Sequence, residues 1–373
     1  MAGFTMTSAE KVQNCMDVKP IKDRREIPIY PMYVSYPGKF AGITQKEMMD
    51  NPKKWMEALK ITYDHFGKPD LCMGLPLGEV IFAEGLEARR PGYELGDDEQ
   101  FQFIEKSRMD HDDYRDIIAN GWAGWFNRYM CSIQKPPFKS NFRLTARWVK
   151  LGMTAGKLVK FLKGMGVEAI SGTAMMPLFD QISLIRSFME FCVDIYTEPD
   201  LLKELIKKET PNVIKSTLKN AGRSSVKRIQ VFAMRSDANS ISPAIFDDFS
   251  FPYLKDMIMA FHAAGYRTVL HADGNWIPML DRFLELPKGS IHFEFDGLTD
   301  LFKASEILEG RHSLRGDVPA TMLAFGTADE VSEYCEKLIT GIGMKGGFIL
   351  GSGCEIPMNC KSENLMAMMN SLK

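Results

Sequence analysis

The chain predicts an α/β fold, a (β/α)8 barrel of the TIM type with an α-rich insertion in its N-terminal half. Three observations lead there. From about residue 160 onward, short β-branched or aromatic runs alternate with helical stretches, which implies parallel strands joined by right-handed crossovers. No Gly-x-Gly-x-x-Gly follows any of those runs, so an open doubly wound sheet loses its usual cofactor signature. A length of 373 residues, with 45% of them hydrophobic, suits a barrel built as a single domain, 1–373.

In chain order, residues 27–33 and 70–74 read as the first two strands. Residues 91–138 follow neither period. Their acidic turns and the aromatics Trp122, Trp125, Phe126 and Tyr129 suggest an insertion over one barrel face, with His111-Asp-Asp as a surface helix start. Residues 167–173 form a strand, and 181–220 a helical stretch expected to break near Glu198-Pro199 and again near Thr210-Pro211. A strand at 228–234 precedes a helix opened by Ser242 as N-cap and Pro243 at its first position. The strand at 267–273 leads into a helix at about 276–286, and the strand at 290–295 into one around 301–308. A strand at 312–317, a helix at 328–342, a strand from 347 and a closing helix at 362–372 complete seven or eight β/α units.

Composition excludes several classes. A net charge of -2 leaves no electrostatic footprint for nucleic acid or an anionic membrane. The opening residues lack the apolar core of a signal peptide, and no run of ~18 apolar residues occurs, so a cytoplasmic protein is expected. Seven scattered cysteines point to reduced thiols rather than a disulfide framework. The 25 methionines, clustered in part at Met48-Met49 and Met175-Met176, read as adaptable core filler, or else as a soft surface for a large ligand or partner.

The chemistry gathers at strand ends. His271 and Asp273 lie two apart in one strand and so share a face. Glu294 ends the next strand, and Cys354 the last. Imidazole, carboxylate and thiolate bind zinc at about 2.0 to 2.3 Å, and in such a barrel the chemistry sits at the carboxyl ends of the strands. A metal site of His271, Asp273, Glu294 and Cys354 follows, with Asp273 either a ligand or a base that orients His271. His292 and Asp296 alternate onto the Glu294 face, as substrate contacts or lumen hydrogen-bond partners. Arg235 and Asp237, at the end of the preceding strand, either touch the substrate or pair with each other. Asp273, Asp237 and His292 are thus the catalytic candidates. Asp317 reads as a turn residue and Cys360 as a buried thiol.

Several stretches carry a resemblance to the uroporphyrinogen decarboxylase superfamily, and within it to the zinc-dependent, corrinoid-linked methyltransferases. They are Ile241-Ser-Pro-Ala-Ile-Phe-Asp-Asp-Phe-Ser-Phe-Pro-Tyr-Leu, His271-Ala-Asp-Gly-Asn, Leu314-Arg-Gly-Asp-Val-Pro-Ala and Gly351-Ser-Gly-Cys-Glu-Ile-Pro. Thr7-Ser-Ala-Glu-Lys-Val and Arg24-Arg-Glu-Ile-Pro-Ile resemble that family's opening. The true decarboxylases carry Arg-Gln-Ala-Gly-Arg-Tyr after the first strand. Here Tyr33-Val-Ser-Tyr-Pro-Gly-Lys lacks the arginines that grip porphyrin carboxylates, and the family's Gly-His-Gly becomes Gly353-Cys354-Glu355. The methyltransferase branch shows His-x-Cys and a second, later Cys. His271 and Cys354 match those positions, while Asp273 replaces the first Cys. Resemblance to the His-x-Cys…Glu…Cys order of cobalamin-independent methionine synthases adds Glu294 to the ligand set.

The resemblance implies zinc, and a corrinoid (cobalamin) carried by a partner protein. Carboxylates in place of a thiolate leave zinc a stronger Lewis acid, which suits a leaving alkoxide or phenolate more than a thiol acceptor. The expected activity is therefore methyl transfer from an O-methyl substrate, such as a methoxylated aromatic, to cobalt(I) of the corrinoid protein. Transfer from methylcorrinoid to a thiol of the coenzyme M kind or to tetrahydrofolate is the alternative. A non-catalytic barrel that binds a corrinoid protein, or a lyase using the fold, is the third. A homodimer is compatible with all of these.

Overall fold

The computed structural model describes residues 6–308 and 310–373. The residues 1–5 read above for a signal peptide lie outside that range. The strands of the barrel, in chain order, are β1 (Ile29–Met32), β2 (Leu71–Cys72), β3 (Glu168–Ala169), β4 (Thr173–Met175), β5 (Arg228–Ala233), β6 (Arg267–Ala272), β7 (Ile291–Phe295), β8 (Ser313–Val318) and β9 (Phe348–Glu355). They form one parallel sheet ordered β1-β9-β8-β7-β6-β5-β4, while β2 pairs with β3. Two links close the ring. The Asp70 N–H donates to the Ile29 carbonyl at 2.9 Å, and the bend between β3 and β4 is pinned where the Gly172 N–H meets the Arg228 carbonyl at 2.9 Å. The result is the expected (β/α)8 barrel, with β3 and β4 acting as one bent strand.

The floor of the barrel is a helix. Ser8–Met16 starts with a capping box, in which the Thr7 hydroxyl accepts from the Glu10 N–H and the Glu10 carboxylate from the Thr7 N–H at 2.8 Å. Its apolar face, Val12, Cys15 and Met16, packs on the lumen residues Tyr30, Leu71, Ile170, Val269 and Ile349. Asp70 fastens this floor to the sheet. It accepts from the Ser8 hydroxyl at 2.7 Å and the Ile29 N–H at 2.9 Å, and lies 3.4 Å from Lys11 Nζ.

Residues 91–138, unreadable by period, hold two helices, His111–Asn120 and Trp122–Ser132, and one strand of a short antiparallel ribbon, Ala88–Arg89 with Gln102–Phe103. Asp110 caps the first helix, so the expected helix start at His111 is correct. The aromatics stack on one another, Trp125 on Tyr129 at 5.6 Å and Trp122 on Phe126 at 5.4 Å. Buried Asp194 ties this layer down, taking hydrogen bonds of 2.8 Å from Tyr114 Oη, His111 Nε2 and Arg186 Nε.

Two expectations need correction. The 181–220 stretch is three helices, Leu178–Arg186, Phe188–Thr197 and Pro199–Ala221, and the unforeseen break falls at Ser187, which has φ +70°. The last of them runs straight through Pro211. Packing overrides the missing N–H there: Leu202, Leu205, Ile206, Thr210 and Thr217 are all buried, and Glu209 accepts from the Trp122 N–H at 3.0 Å. The helix expected after β6 is present at Ile277–Glu285, wound as a 3-10 helix. No helix among the described residues is long and apolar enough to cross a membrane.

Candidate functional site

Strand register assembles the site. Phe232, His271, Glu294 and Arg315 are lateral partners across β5, β6, β7 and β8, so one row of side chains faces the lumen at a single level. Two residues nearer the floor runs a second row, Gln230, Val269, His292 and Ser313. The pleat therefore places His292 beneath Glu294 and one layer away from the mouth.

His271 is the hub. Its Nδ1 lies 3.2 Å from Glu294 Oε2 and its Nε2 lies 3.2 Å from Asp273 Oδ1, and the Phe232 ring meets it edge-on at 5.6 Å. Burial opposes charge on this imidazole, but Asp273 foremost, with hydrogen bonds to Cys354 and Glu294, lifts its titration well above the ordinary histidine range. Asp273 responds in kind: burial would raise it, and His271 holds it below the ordinary carboxylate value.

Glu294 is fully buried. Burial alone would favour its neutral form. The Arg315 charge and the His271 hydrogen bond reverse that and hold it at about 2. Gln230 Nε2 donates to its Oε2 at 3.0 Å, and Arg315 stands 3.7 Å from Oε1. Arg315 is anchored in turn, donating to the Ser352 and Gly353 carbonyls at 3.0 and 2.8 Å and lying over the Tyr30 ring at 4.9 Å. Gly351 makes this possible, because a Cβ there would stand 2.4 Å from the Tyr30 carbonyl and 3.3 Å from Arg315 Cγ.

The structure thus brings His271, Asp273, Glu294 and Cys354 together, with the two carboxylates divided between the two ring nitrogens. Among the described residues, no group of three or more His, Cys, Asp or Glu side chains is placed so that it could hold a metal ion. The donor types nonetheless fit zinc: Asp273 stands 3.2 Å from His271 Nε2, and half-buried Cys354 is hydrogen-bonded to the same imidazole. Glu294, on Nδ1, holds the position of the carboxylate that orients a metal-bound imidazole.

The other candidates fall outside this cluster. His292 Nδ1 pairs with the Ser313 hydroxyl at 2.9 Å, and burial keeps the ring neutral, at about 3. Asp237 is occupied by its own loop, accepting from the Asn239 N–H at 2.8 Å and the Ser240 hydroxyl at 2.6 Å. Gly274, with φ +87°, leaves room for it, since a Cβ there would sit 2.2 Å from Asp237 Oδ1. Of the two alternatives for Arg235 and Asp237, the mutual pair does not form. Arg235 turns outward to Glu105 at 3.2 Å and to the Ser183 carbonyl at 2.9 Å. Asp296 accepts from the Gly274 N–H at 2.9 Å, and Trp276 Nε1 donates to the Asp273 carbonyl at 2.8 Å, so both brace the loop that follows His271. Asp317 takes the Tyr334 hydroxyl at 2.7 Å, and Cys360 is buried. Sequence reasoning missed Gln230 and Arg315. Alternation along Arg228-Ile-Gln and Ser313-Leu-Arg would have placed both in the lumen.

The family model described as Uroporphyrinogen decarboxylase (URO-D) matches residues 157–373. Among solved structures, a methyltransferase from Methanosarcina mazei is similar over 99% of this chain and 98% of its own, with a TM-score of 0.70 and 17% identity, a likeness of fold. The crystal structure of Dispersin B is a looser likeness over 59% of this chain and 75% of its own, with a TM-score of 0.33 and 11% identity. No curated protein matches the chain.

Proposed function

Since the chain belongs to the uroporphyrinogen decarboxylase family, we propose that it is a methyltransferase, moving a methyl group from an O-methyl substrate such as a methoxylated aromatic to the cobalt(I) of a corrinoid carried by a partner protein. The observation that carries this reading is the His271 imidazole held at the barrel mouth between Glu294 and Asp273, with Cys354 beside it. Likeness of fold along the whole chain to a solved methyltransferase supports it. His271, Asp273 and Cys354 would hold zinc, which when bound supplies a Lewis acid for the leaving oxygen. Glu294 orients the imidazole through Nδ1, Arg315 keeps Glu294 ionised, and Phe232 excludes water from one side of the ring. Lumen Arg315 donates from one guanidinium nitrogen to the Ser352 and Gly353 carbonyls and sets another 3.7 Å from Glu294 Oε1.

Two measurements test this. Purified protein should contain stoichiometric zinc, and Cys354→Ala should lose it. Mixed with cobalt(I) corrinoid and a panel of methoxylated aromatics, the protein should generate the methyl–cobalt spectrum, and His271→Ala should not. Methylation of a thiol by methylcorrinoid, with no methyl–cobalt formed from any ether, would overturn the proposed direction.

A further inference from the structure

Phe232, whose ring meets His271 at 5.6 Å, is also one wall of a cavity of about 50 Å³. Met73, Leu75, Val80, Gln230 and Phe232 are among its walls, and Glu84 is the one ionisable residue lining it. Glu84 follows the helix Leu77–Ala83 and is 4% exposed. Its backbone is satisfied, the N–H by the Val80 carbonyl at 3.0 Å and the carbonyl by Gln181 Nε2 at 3.3 Å. Its carboxyl has no hydrogen bond or ion pair among the described residues. The arginines on its other flank are engaged elsewhere, Arg108 with Glu87 at 2.7 Å and Arg235 with Glu105 at 3.2 Å.

A buried carboxyl costs stability unless something meets it, and a group left unmatched in a cavity is matched by whatever the cavity receives. Burial lifts Glu84 to about 8, so it carries its proton at neutral pH and can donate a hydrogen bond. The remaining walls are mostly apolar and offer no cation to an anionic ligand. A volume of about 50 Å³ admits roughly three to five water-sized groups.

We propose that this cavity is a binding subsite for a small, uncharged ether or alcohol group of the substrate, with Glu84 donating a hydrogen bond to that group's oxygen. The assignment rests on the methyltransferase reading and names its substrate class: neutral, with an oxygen acceptor, neither a carboxylate nor an ammonium.

Binding tests it without corrinoid or turnover. Saturation-transfer NMR would follow methoxybenzene, methanol and tetramethylammonium on wild-type protein, Glu84→Gln and Glu84→Leu, with infrared spectroscopy reading the protonated carboxyl stretch that Glu84→Gln should remove. Glu84→Leu deletes an unmatched buried acid, so it should fold, and thermal melting checks this. The expected result is an ether or alcohol bound by wild type, held within about threefold by Glu84→Gln and weakened about tenfold by Glu84→Leu, the loss of one buried hydrogen bond. Equal binding by Glu84→Leu overturns the proposal. So does binding of tetramethylammonium alone that Glu84→Gln abolishes, or failure of both oxygen ligands to bind wild type. A bound ether with no methyl–cobalt formed would leave the subsite standing and remove the transferase reading instead.

Discussion

Arg315 and Glu294 are both fully buried, with their charged groups 3.7 Å apart at the centre of the lumen. Such a pair adds little net stability over an apolar pair, but removing one member strands the other. Arg315→Met should therefore cost about 3 to 5 kcal/mol in urea denaturation, with Arg315→Met/Glu294→Leu recovering much of it. A double variant as unstable as the single would show that the carbonyl bonds of Arg315, not its charge, matter. At this scale His271, Asp273, Glu294 and Cys354 were legible because strand alternation and register fix which way they face. Arg315 was not read, although its segment was in plain view, because arginine in a strand reads as solvent-facing. Glu84 was illegible for another reason: its burial depends on packing against Gln181 and β5 residues far along the chain.

At the scale of elements, Asp194 joins the helix Phe188–Thr197 to the insertion helix His111–Asn120. Burial pushes its carboxyl upward, but hydrogen bonds from Arg186, His111 and Tyr114 prevail and hold it below the ordinary carboxylate value. In acid the unfolded chain takes up this proton before the folded one does. Its stabilisation is therefore complete above the unfolded value of about 4 and drains away as pH falls below it. Asp194→Asn should lose about 3 kcal/mol at neutral pH and show a shallower fall in melting temperature between about pH 5 and pH 3. An unchanged acid slope would assign that slope to other carboxylates. The strands were the legible elements, since their apolar runs are short and sharply bounded. Pro211 misled because tertiary docking on both sides of the residue outweighed a local rule. The insertion showed its helix start at His111 but not the bounds of its second helix, because Trp122, Trp125, Phe126 and Tyr129 pack on one another rather than along one stripe.

For the whole molecule, the family match and the folding unit differ. Residues 157–373 carry the matched region, but β9 pairs with β1 and β3 with β2, and the floor helix comes from Ser8–Met16. A fragment beginning at 157 would expose the β9 edge and open the lumen residues Val269 and Ile349 to water. It should show no cooperative melt and no near-ultraviolet dichroism, both of which the full chain should have. A sharp melt from that fragment would show the first two strands to be dispensable. The alternation of strands and helices announced a barrel, yet the pairing that closes it was not legible, because β2 and β3 are two-residue ladders whose pairing is set by geometry rather than by pattern.

The bond from the Trp276 indole to the Asp273 carbonyl gives the protein a reporter of its own. Four of its five tryptophans, Trp55, Trp122, Trp125 and Trp148, precede residue 157, so steady-state fluorescence is dominated by the first half of the chain. With those four replaced by phenylalanine, the remaining emitter would be fully buried and tethered to the loop that carries Asp273. Its colour and lifetime would then follow that loop alone, so that filling of the barrel mouth could be watched optically in a molecule otherwise dark at those wavelengths.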